Sequence, residues 1–416
     1  MKGTGLSIMA KIAILGFGNI GSGVLEVLRQ NGAALTQRAG QPLDVKYIMD
    51  VRDFSQSPDA KLFVNNVDVI LEDAEVSTVV ETIGGTDPAY YYVKSALCAG
   101  KNVCTSNKEL VARHGAELIA LAKQHKVAFL FEASVGGGMP LIAPIRGSLA
   151  ANVIESVHGI VNGTTNFMLT RMEEEGMDFA AALAEAQRLG YAETRDPSAD
   201  VDGFDAGRKI AILASLLYGT EVHPEDIPTT GIREVAPADF YFAQRMKATI
   251  RLIAYAKKDE AGRFACAVEP MFIPREHPFA GVCDVFNAVM LRGNMLGDTM
   301  FYGKGAGKLP TASAVVADII DAEKYGVSLH DTLTWNSAKS LGKITDESRY
   351  TYYIRVTDPD AEMLKKVLGG TQFMMQHGDE AAVLSCPLTE TELAEKTQQL
   401  AAQGMKAMLC LKMLEQ

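Results

Sequence analysis

The chain has 416 residues, 48% of them hydrophobic and 22% charged, with 37 glycines and 15 prolines, a balance that excludes disordered, collagen-like and coiled-coil classes. At about 150 residues per domain it carries two or three domains, each able to bury its own core, so a single small binding module is excluded. Forty Lys+Arg against 51 Asp+Glu leave a net charge of −11, a field that repels nucleic-acid phosphates and anionic membranes, and neither is expected as a partner. The six cysteines (Cys98, Cys104, Cys266, Cys283, Cys386, Cys410) show no CxxC pair, and the chain shows no secretory signal; they read as reduced thiols of a cytoplasmic protein. No apolar run approaches the roughly 18 to 20 residues of a membrane span.

Along the chain, Ala10 to Leu15 is a compact apolar run that meets Gly-Phe-Gly-Asn-Ile-Gly and then a helical pattern through Val24, Leu25, Val27 and Leu28. Further strands are predicted at Val45 to Met49, Thr78 to Glu81, Asn102 to Thr105 and Ala128 to Phe131, with helices such as Tyr91 to Ala99 and Glu109 to Gln124 between them. This alternation predicts an α/β fold whose first domain, residues 8–131, is a Rossmann-type doubly wound parallel sheet, completed by residues near 306–326. Residues 132–305 read as an α+β second domain, with helices at Phe179 to Leu189, Ala206 to Tyr218 and Phe242 to Ile253 and strands at Glu155 to Val161, Ala254 to Lys258 and Ala265 to Pro270. Gly326 to Ser348 reads as a polar linker. Residues 348–416 then follow the order β-α-β-β-α-β of a ferredoxin-like domain.

Gly16, Gly18 and Gly21 fit GxGxxG, placed after a strand and opening a helix, the context in which the motif cradles a dinucleotide pyrophosphate on backbone N–H groups. Phe17, Asn19 and Ile20 belong to the same turn. Asp50 lies 29 positions after Gly21, later than the usual spacing of about 20, so the intervening helix or loop is longer. Asp50 suits a ribose hydroxyl and Arg52 a 2′-phosphate; the balance leans to NADP over NAD.

Asp205 and Lys209, spaced i, i+4, share a helix face that continues through Ile212, Leu213 and Leu216, and the rest of the helix is apolar too, so Lys209 projects toward an interior or cleft. An ammonium there is costly unless paired or engaged, and its desolvation suits acid/base work. Tyr191, Glu193, Asp196, Asp200 and Asp202 form an acidic, turn-rich loop that reads by composition as solvated. Lys108 sits at a strand end facing the cofactor crevice, as a second acid, an anion clamp or a solvent-facing lysine. Glu132 to Pro140, with three consecutive glycines, is a permissive turn that can present carbonyls to a hard cation or merely cross between domains. The seven histidines lack ligand spacing, which disfavours zinc.

The ordered set Thr105-Ser-Asn-Lys108, Glu132 to Pro140, Asn162-Gly-Thr-Thr-Asn-Phe167, Gly190-Tyr-Ala-Glu193, Asp200 to Lys209 and Tyr302-Gly-Lys-Gly-Ala-Gly307 closely resembles homoserine dehydrogenase over residues 10–325. The resemblance implies reversible NAD(P)H-dependent reduction of L-aspartate 4-semialdehyde to L-homoserine. It implies Lys209 as proton donor beside Asp205, with Lys108 between cofactor and substrate. Glu193, on the loop that composition reads as solvated, is implied to bind the substrate's amino group, with Asp200, Tyr191, Thr164 and Thr165 lining the pocket. A structural sodium ion is implied at Glu132, Val135, Gly137 and Met139, and Gly305 falls in the late glycine loop that returns to the cofactor. The tail resembles an ACT regulatory domain, implying threonine as a possible effector, and a homodimer or higher assembly is expected. No aspartokinase fusion is expected ahead of Ala10.

Overall fold

The computed structural model describes residues 9–258, 264–326, 328, 335–340 and 346–414. The chain divides into two compact units: residues 1–154, 208–224 and 293–342 form the first, and residues 155–207, 225–292 and 343–416 the second.

The first unit begins with six parallel strands, β1 (Ala10–Leu15), β2 (Leu43–Met49), β3 (Phe63–Val64), β4 (Val76–Glu81), β5 (Asn102–Thr105) and β6 (Phe129–Leu130), in the order β3-β2-β1-β4-β5-β6. This is the doubly wound order, with its chain reversal between β1 and β4. Two helices, α1 (Asn19–Gln30) and α2 (Gly32–Ala39), lie between β1 and β2, which accounts for the late position of Asp50. Helices α3 (Asp68–Glu72), α4 (Ala89–Cys98) and α5 (Lys108–His125) follow in the other crossovers, and α6 (Ile142–Arg146) comes after β6. Strands β1 and β4 are almost wholly buried, because helices on both faces leave no solvated side.

The second unit starts with β7 (Ile154–Ile160), α7 (Gly163–Glu175), α8 (Phe179–Arg188), α9 (Ser198–Val201) and α10 (Phe204–Tyr218). The division between units falls inside α10, after Gly207, and this helix leads to the short strand β8 (Thr220–Glu221) of the first unit. Then come α11 (Pro237–Arg245), β9 (Ala248–Lys258), β10 (Phe264–Pro274) and β11 (Phe286–Gly293). Here the structure corrects the sequence: the helix expected over Phe242 to Ile253 ends at Arg245, and Ala248 to Ile253 is strand. Lys247, at φ 53°, breaks the chain direction between them. The first nine residues of β9 are buried on both faces, so no alternation marks the run as strand, and a short continuous apolar stretch does not announce its period. Helix α7 and strand β11 were likewise not predicted.

Chain returning to the first unit forms β12 (Gly297–Lys304), α12 (Lys308–Tyr325) and β13 (Asn336–Ser340). Val315, Val316 and Ile319 of α12 share one core with Val24, Leu25 and Leu28 of α1. The helices cross closely enough that a Cβ on Gly23 would stand 3.0 Å from that of Ala312. The reading of Gly326 to Ser348 as a polar linker is also corrected where it can be followed: β13 pairs in parallel with β8, and Trp335 is buried against Gly115 of α5. Residues 327, 329–334 and 341–345 of that stretch lie outside the described residues.

The tail runs β14 (Tyr352–Thr357), α13 (Ala361–Leu368), β15 (Thr371–His377), β16 (Glu380–Ser385), α14 (Glu390–Ala402) and β17 (Lys406–Met413). Its four strands are ordered β17-β14-β16-β15 with antiparallel neighbours, the ferredoxin-like arrangement. The tail sheet continues the sheet of the second unit, because β17 pairs in parallel with β10 through Met271 and Phe272, giving the order β11-β7-β9-β10-β17-β14-β16-β15. Charged contacts reinforce that seam. Lys412 is 2% exposed and bonds Glu269 at 2.7 Å, and Asp239 of α11 accepts from Tyr353 and Arg355.

Candidate functional site

The turn after β1 owes its shape to missing side chains. Gly16 holds φ +90°, and a Cβ on Gly21 would overlap the Gly16 carbonyl, whereas nothing lies near the Cβ position of Gly18. The amide ends of α1 are thus open to close approach by an anion, and Gly18 caps the helix without a side chain. This cradle fits a pyrophosphate. Phe17, beside it, packs edge-on against Phe54 and Phe63.

Asp50 and Arg52 are engaged with each other. The Asp50 carboxylate accepts from the Phe17 amide at 2.6 Å and from Arg52 Nε and Nη2 at 2.9 and 2.8 Å. The Arg52 hydrogen bonds hold its pKa well below the usual carboxylate range. Its side chain is 7% exposed and that of Arg52 56%, so the guanidinium is the solvent-facing member.

Lys108 is the first residue of α5, whose N-cap Asn107 accepts from Leu110 N. Asn107 in turn donates to the Gly85 carbonyl at 2.6 Å. Beneath it, the buried Glu81 at the end of β4 accepts from Thr105 Oγ1 at 2.5 Å and Ile83 N at 2.7 Å. Burial pushes the Glu81 carboxyl up, and those hydrogen bonds draw it back. Glu81 therefore ties the loop after β4 to the loop that presents Lys108, a role the sequence reading missed. Arg208 pairs with Glu109 at 3.4 Å, which brings the residue before Lys209 against the residue after Lys108.

Glu132 is 5% exposed, and its carboxylate accepts from the amides of Leu141, Ile142 and Ala143 at 2.5, 2.9 and 2.6 Å, so it caps α6. Its own amide donates to the buried Asp318 of α12. Val135 and Met139 are buried. The glycines of this turn serve close packing: a Cβ on Gly137 would overlap the Gly305 carbonyl, one on Gly138 would meet Pro310, and Gly138 N donates to Lys304 O at 3.1 Å. The turn and the late glycine loop are therefore one backbone-to-backbone joint. With the Glu132 carboxylate committed to amides, main-chain oxygens are the donors this turn offers a cation. Among the described residues no group of three or more His, Cys, Asp or Glu is placed to hold a metal.

In the second unit, Asn162 joins the acidic residues. It caps α7, its Oδ1 accepting from Thr165 N at 2.9 Å, while its Nδ2 donates to Asp200 Oδ1 at 2.7 Å and Asp205 Oδ2 at 2.9 Å. Thr165 is buried with its hydroxyl turned to Asn162, and Thr164 Oγ1 donates to Tyr191 O at 2.6 Å. Tyr191 is half exposed and packs edge-on against Phe167. Glu193 is exposed on the loop beyond, and its carbonyl accepts from Gln187. Asp205 and Lys209, one turn apart on α10, are 5% and 8% exposed. An ammonium buried to this degree carries a desolvation cost that its surroundings must offset.

A doubly wound sheet with a glycine cradle, together with a buried lysine beside a carboxylate, defines a nicotinamide-dependent oxidoreductase that acts on a small molecule. The comparisons with known proteins give the family. Residues 16–132 match the family model described as "Homoserine dehydrogenase, NAD binding domain" and residues 140–320 the model described as "Homoserine dehydrogenase". The chain is 43% identical to the homoserine dehydrogenase of Synechocystis over 317 residues, covering 75% of this chain and 72% of that one. It is 37% identical to that of Lactococcus lactis over 385 residues, covering 88% and 89%. Among solved structures, a homoserine dehydrogenase from Thiobacillus denitrificans matches with a TM-score of 0.87 and 32% identity, covering 98% of both chains. A hyperthermophilic archaeal homoserine dehydrogenase in complex with NADPH matches at 0.63 and 31%, covering 76% of this chain and 97% of that one. The chain belongs to the homoserine dehydrogenase family. No described helix is long and apolar enough to cross a membrane.

Proposed function

We propose that the chain catalyses the reversible reduction of L-aspartate 4-semialdehyde to L-homoserine, with NADP preferred over NAD and Lys209 as proton donor. The observation that carries this reading is the buried Lys209 one turn beyond Asp205, in a chain of this family. When bound, the nicotinamide supplies hydride to the carbonyl carbon, or takes it back in the reverse direction. Lys209 gives its proton to the developing alkoxide, and Asp205 favours the ammonium form. Lys108 stands as a second cation between cofactor and substrate. Glu193 and Asp200 receive the α-ammonium group, and Tyr191, Thr164 and Thr165 shape that pocket. No covalent intermediate is required.

The cradle Gly16, Phe17, Gly18, Asn19, Ile20 and Gly21 holds the pyrophosphate, and Gly305 closes on the cofactor. The Arg52 guanidinium supports NADP, since it is 56% exposed and can meet a 2′-phosphate from the solvent side while Nε and Nη2 hold the inward-turned Asp50. The archaeal relative solved with NADPH supports the same choice. The turn bearing Glu132, Val135, Gly137 and Met139 holds a structural sodium ion through main-chain oxygens. The six free thiols support a cytoplasmic setting. The ferredoxin-like tail is a regulatory module that takes threonine, and the enzyme works as a homodimer or larger assembly. A threonine titration that leaves the kinetics unchanged removes the effector, and a monomer mass in solution removes the assembly.

The test is the rate of nicotinamide reduction with L-homoserine, run in parallel with NADP and NAD. Turnover that is faster with NADP is expected. Silence with both, in folded protein with sodium present and the reverse reaction also tried, overturns the reading.

A further inference from the structure

We infer that Asn162 is a positioning residue of the acid/base site, a single side-chain amide that fixes Asp200 and Asp205 relative to each other and to the start of α7. The inference rests on the proposed reading of Asp205 and Lys209 as the catalytic pair. Asn162 is 5% exposed, so its amide has little access to water. Its Oδ1 accepts from the main-chain N–H of Thr165, a group that only donates, and this fixes which way the amide points. Nδ2 therefore faces the carboxylates. Its two protons match the two acceptors it meets, Asp200 Oδ1 at 2.7 Å and Asp205 Oδ2 at 2.9 Å.

The three residues come from three different helices: Asn162 caps α7, Asp200 lies on α9 and Asp205 on α10. Two carboxylates brought to one nitrogen repel each other, and shared donation from a buried amide offsets that repulsion. Loss of the amide removes the donor that Asp205, one turn before Lys209, shares with Asp200. Lys209 lies one turn further along α10, and Asp202, just after α9, is paired with Arg233. Arg171, Glu173, Glu174 and Glu175 sit toward the far end of α7.

Two substitutions test this without depending on one fold outcome. Asn162→Asp keeps the shape and the acceptor that caps α7 but sets a third carboxylate against the other two. Asn162→Ser keeps a good helix cap and is too short to reach both carboxylates. For each variant and wild type, kcat and KM for L-homoserine are measured across the active pH range, with NADPH affinity and the melting temperature alongside. The expected result is roughly a tenfold or greater loss of kcat in both variants, the scale of a lost charge-assisted hydrogen bond, with a raised KM and unchanged NADPH affinity. In Asn162→Asp the acid limb of the rate profile moves upward, because a third negative charge disfavours ionisation at the cluster.

Variants that melt lower yet keep the wild-type kcat, KM and pH profile reduce Asn162 to a helix cap and overturn the inference. If Asn162→Asp does not fold, Asn162→Ser decides on kcat and KM. Wild-type protein that turns over no homoserine sinks the proposed function itself, a result distinct from active wild type with indifferent variants.

Discussion

The cofactor turn of the first unit and the carboxylate cluster of the second are pre-organised by opposite means. In the turn, geometry comes from missing atoms: Gly16 takes a left-handed backbone, Gly21 leaves room for the Gly16 carbonyl, and nothing stands near the Cβ position of Gly18 at the start of α1. In the cluster, geometry comes from a side chain, since the Asn162 amide reaches two carboxylates and a helix end. The turn lies within six consecutive residues, whereas the cluster needs residues from 162 to 205 to fold together. A site of the first kind breaks when one carbon is added, and one of the second kind breaks when one donor is removed.

The largest effect is expected at Gly21. Gly21→Val places a branched side chain into the Gly16 carbonyl, and we expect loss of measurable NADPH binding with about 1–3 kcal/mol of lost stability, read by titration and thermal melting. Next is Glu132→Ala, which strips three amides of their buried acceptor and should destabilise the first unit by about 1–3 kcal/mol in denaturant. If melting is unchanged, side-chain capping is not what holds that turn.

The second unit's reliance on ionised side chains predicts an acid dependence. Asp346 is held at about 2: burial works against its charge, but hydrogen bonds from Tyr350 and Ser348 and the nearby Lys257 outweigh it. A folded value below the unfolded one contributes stability that is full above pH ~4 and is lost as pH falls toward 2, on the order of 1–2 kcal/mol. Asp346→Asn should therefore be less stable than wild type near neutrality, and the two should converge in acid. A constant gap between the two unfolding curves would contradict this assignment. The smallest effect is at Arg52, where Arg52→Ala should narrow the preference for NADP over NAD by roughly tenfold without altering turnover at saturation.

What could be read from the sequence follows the same division. GxGxxG after an apolar strand and the βαββαβ tail are local patterns, and both stand in the structure where they were expected. The placing of Asp205 and Lys209 on one helix, both buried, was also legible, because i, i+4 spacing needs only one helix. By composition the acidic stretch from Tyr191 to Asp202 read as solvated, and that holds for Glu193 but not for Asp200, whose carboxylate is claimed by an asparagine 38 residues earlier. The only local signal was Asn162 itself, a favoured cap residue before Gly-Thr-Thr. Strand β9 was misread because burial on both faces erases alternation, and Glu81 was passed over because its partners come from separate segments, Thr105 from the end of β5 and Ile83 from the loop after β4.

The most direct test of the account is a paired measurement on Lys209→Ala: NADPH affinity and L-homoserine turnover in one preparation. The expected result is wild-type affinity with turnover reduced by roughly a hundredfold or more, the scale of a lost general acid. Turnover retained at the wild-type rate would contradict the role of Lys209 and the mechanism built on it.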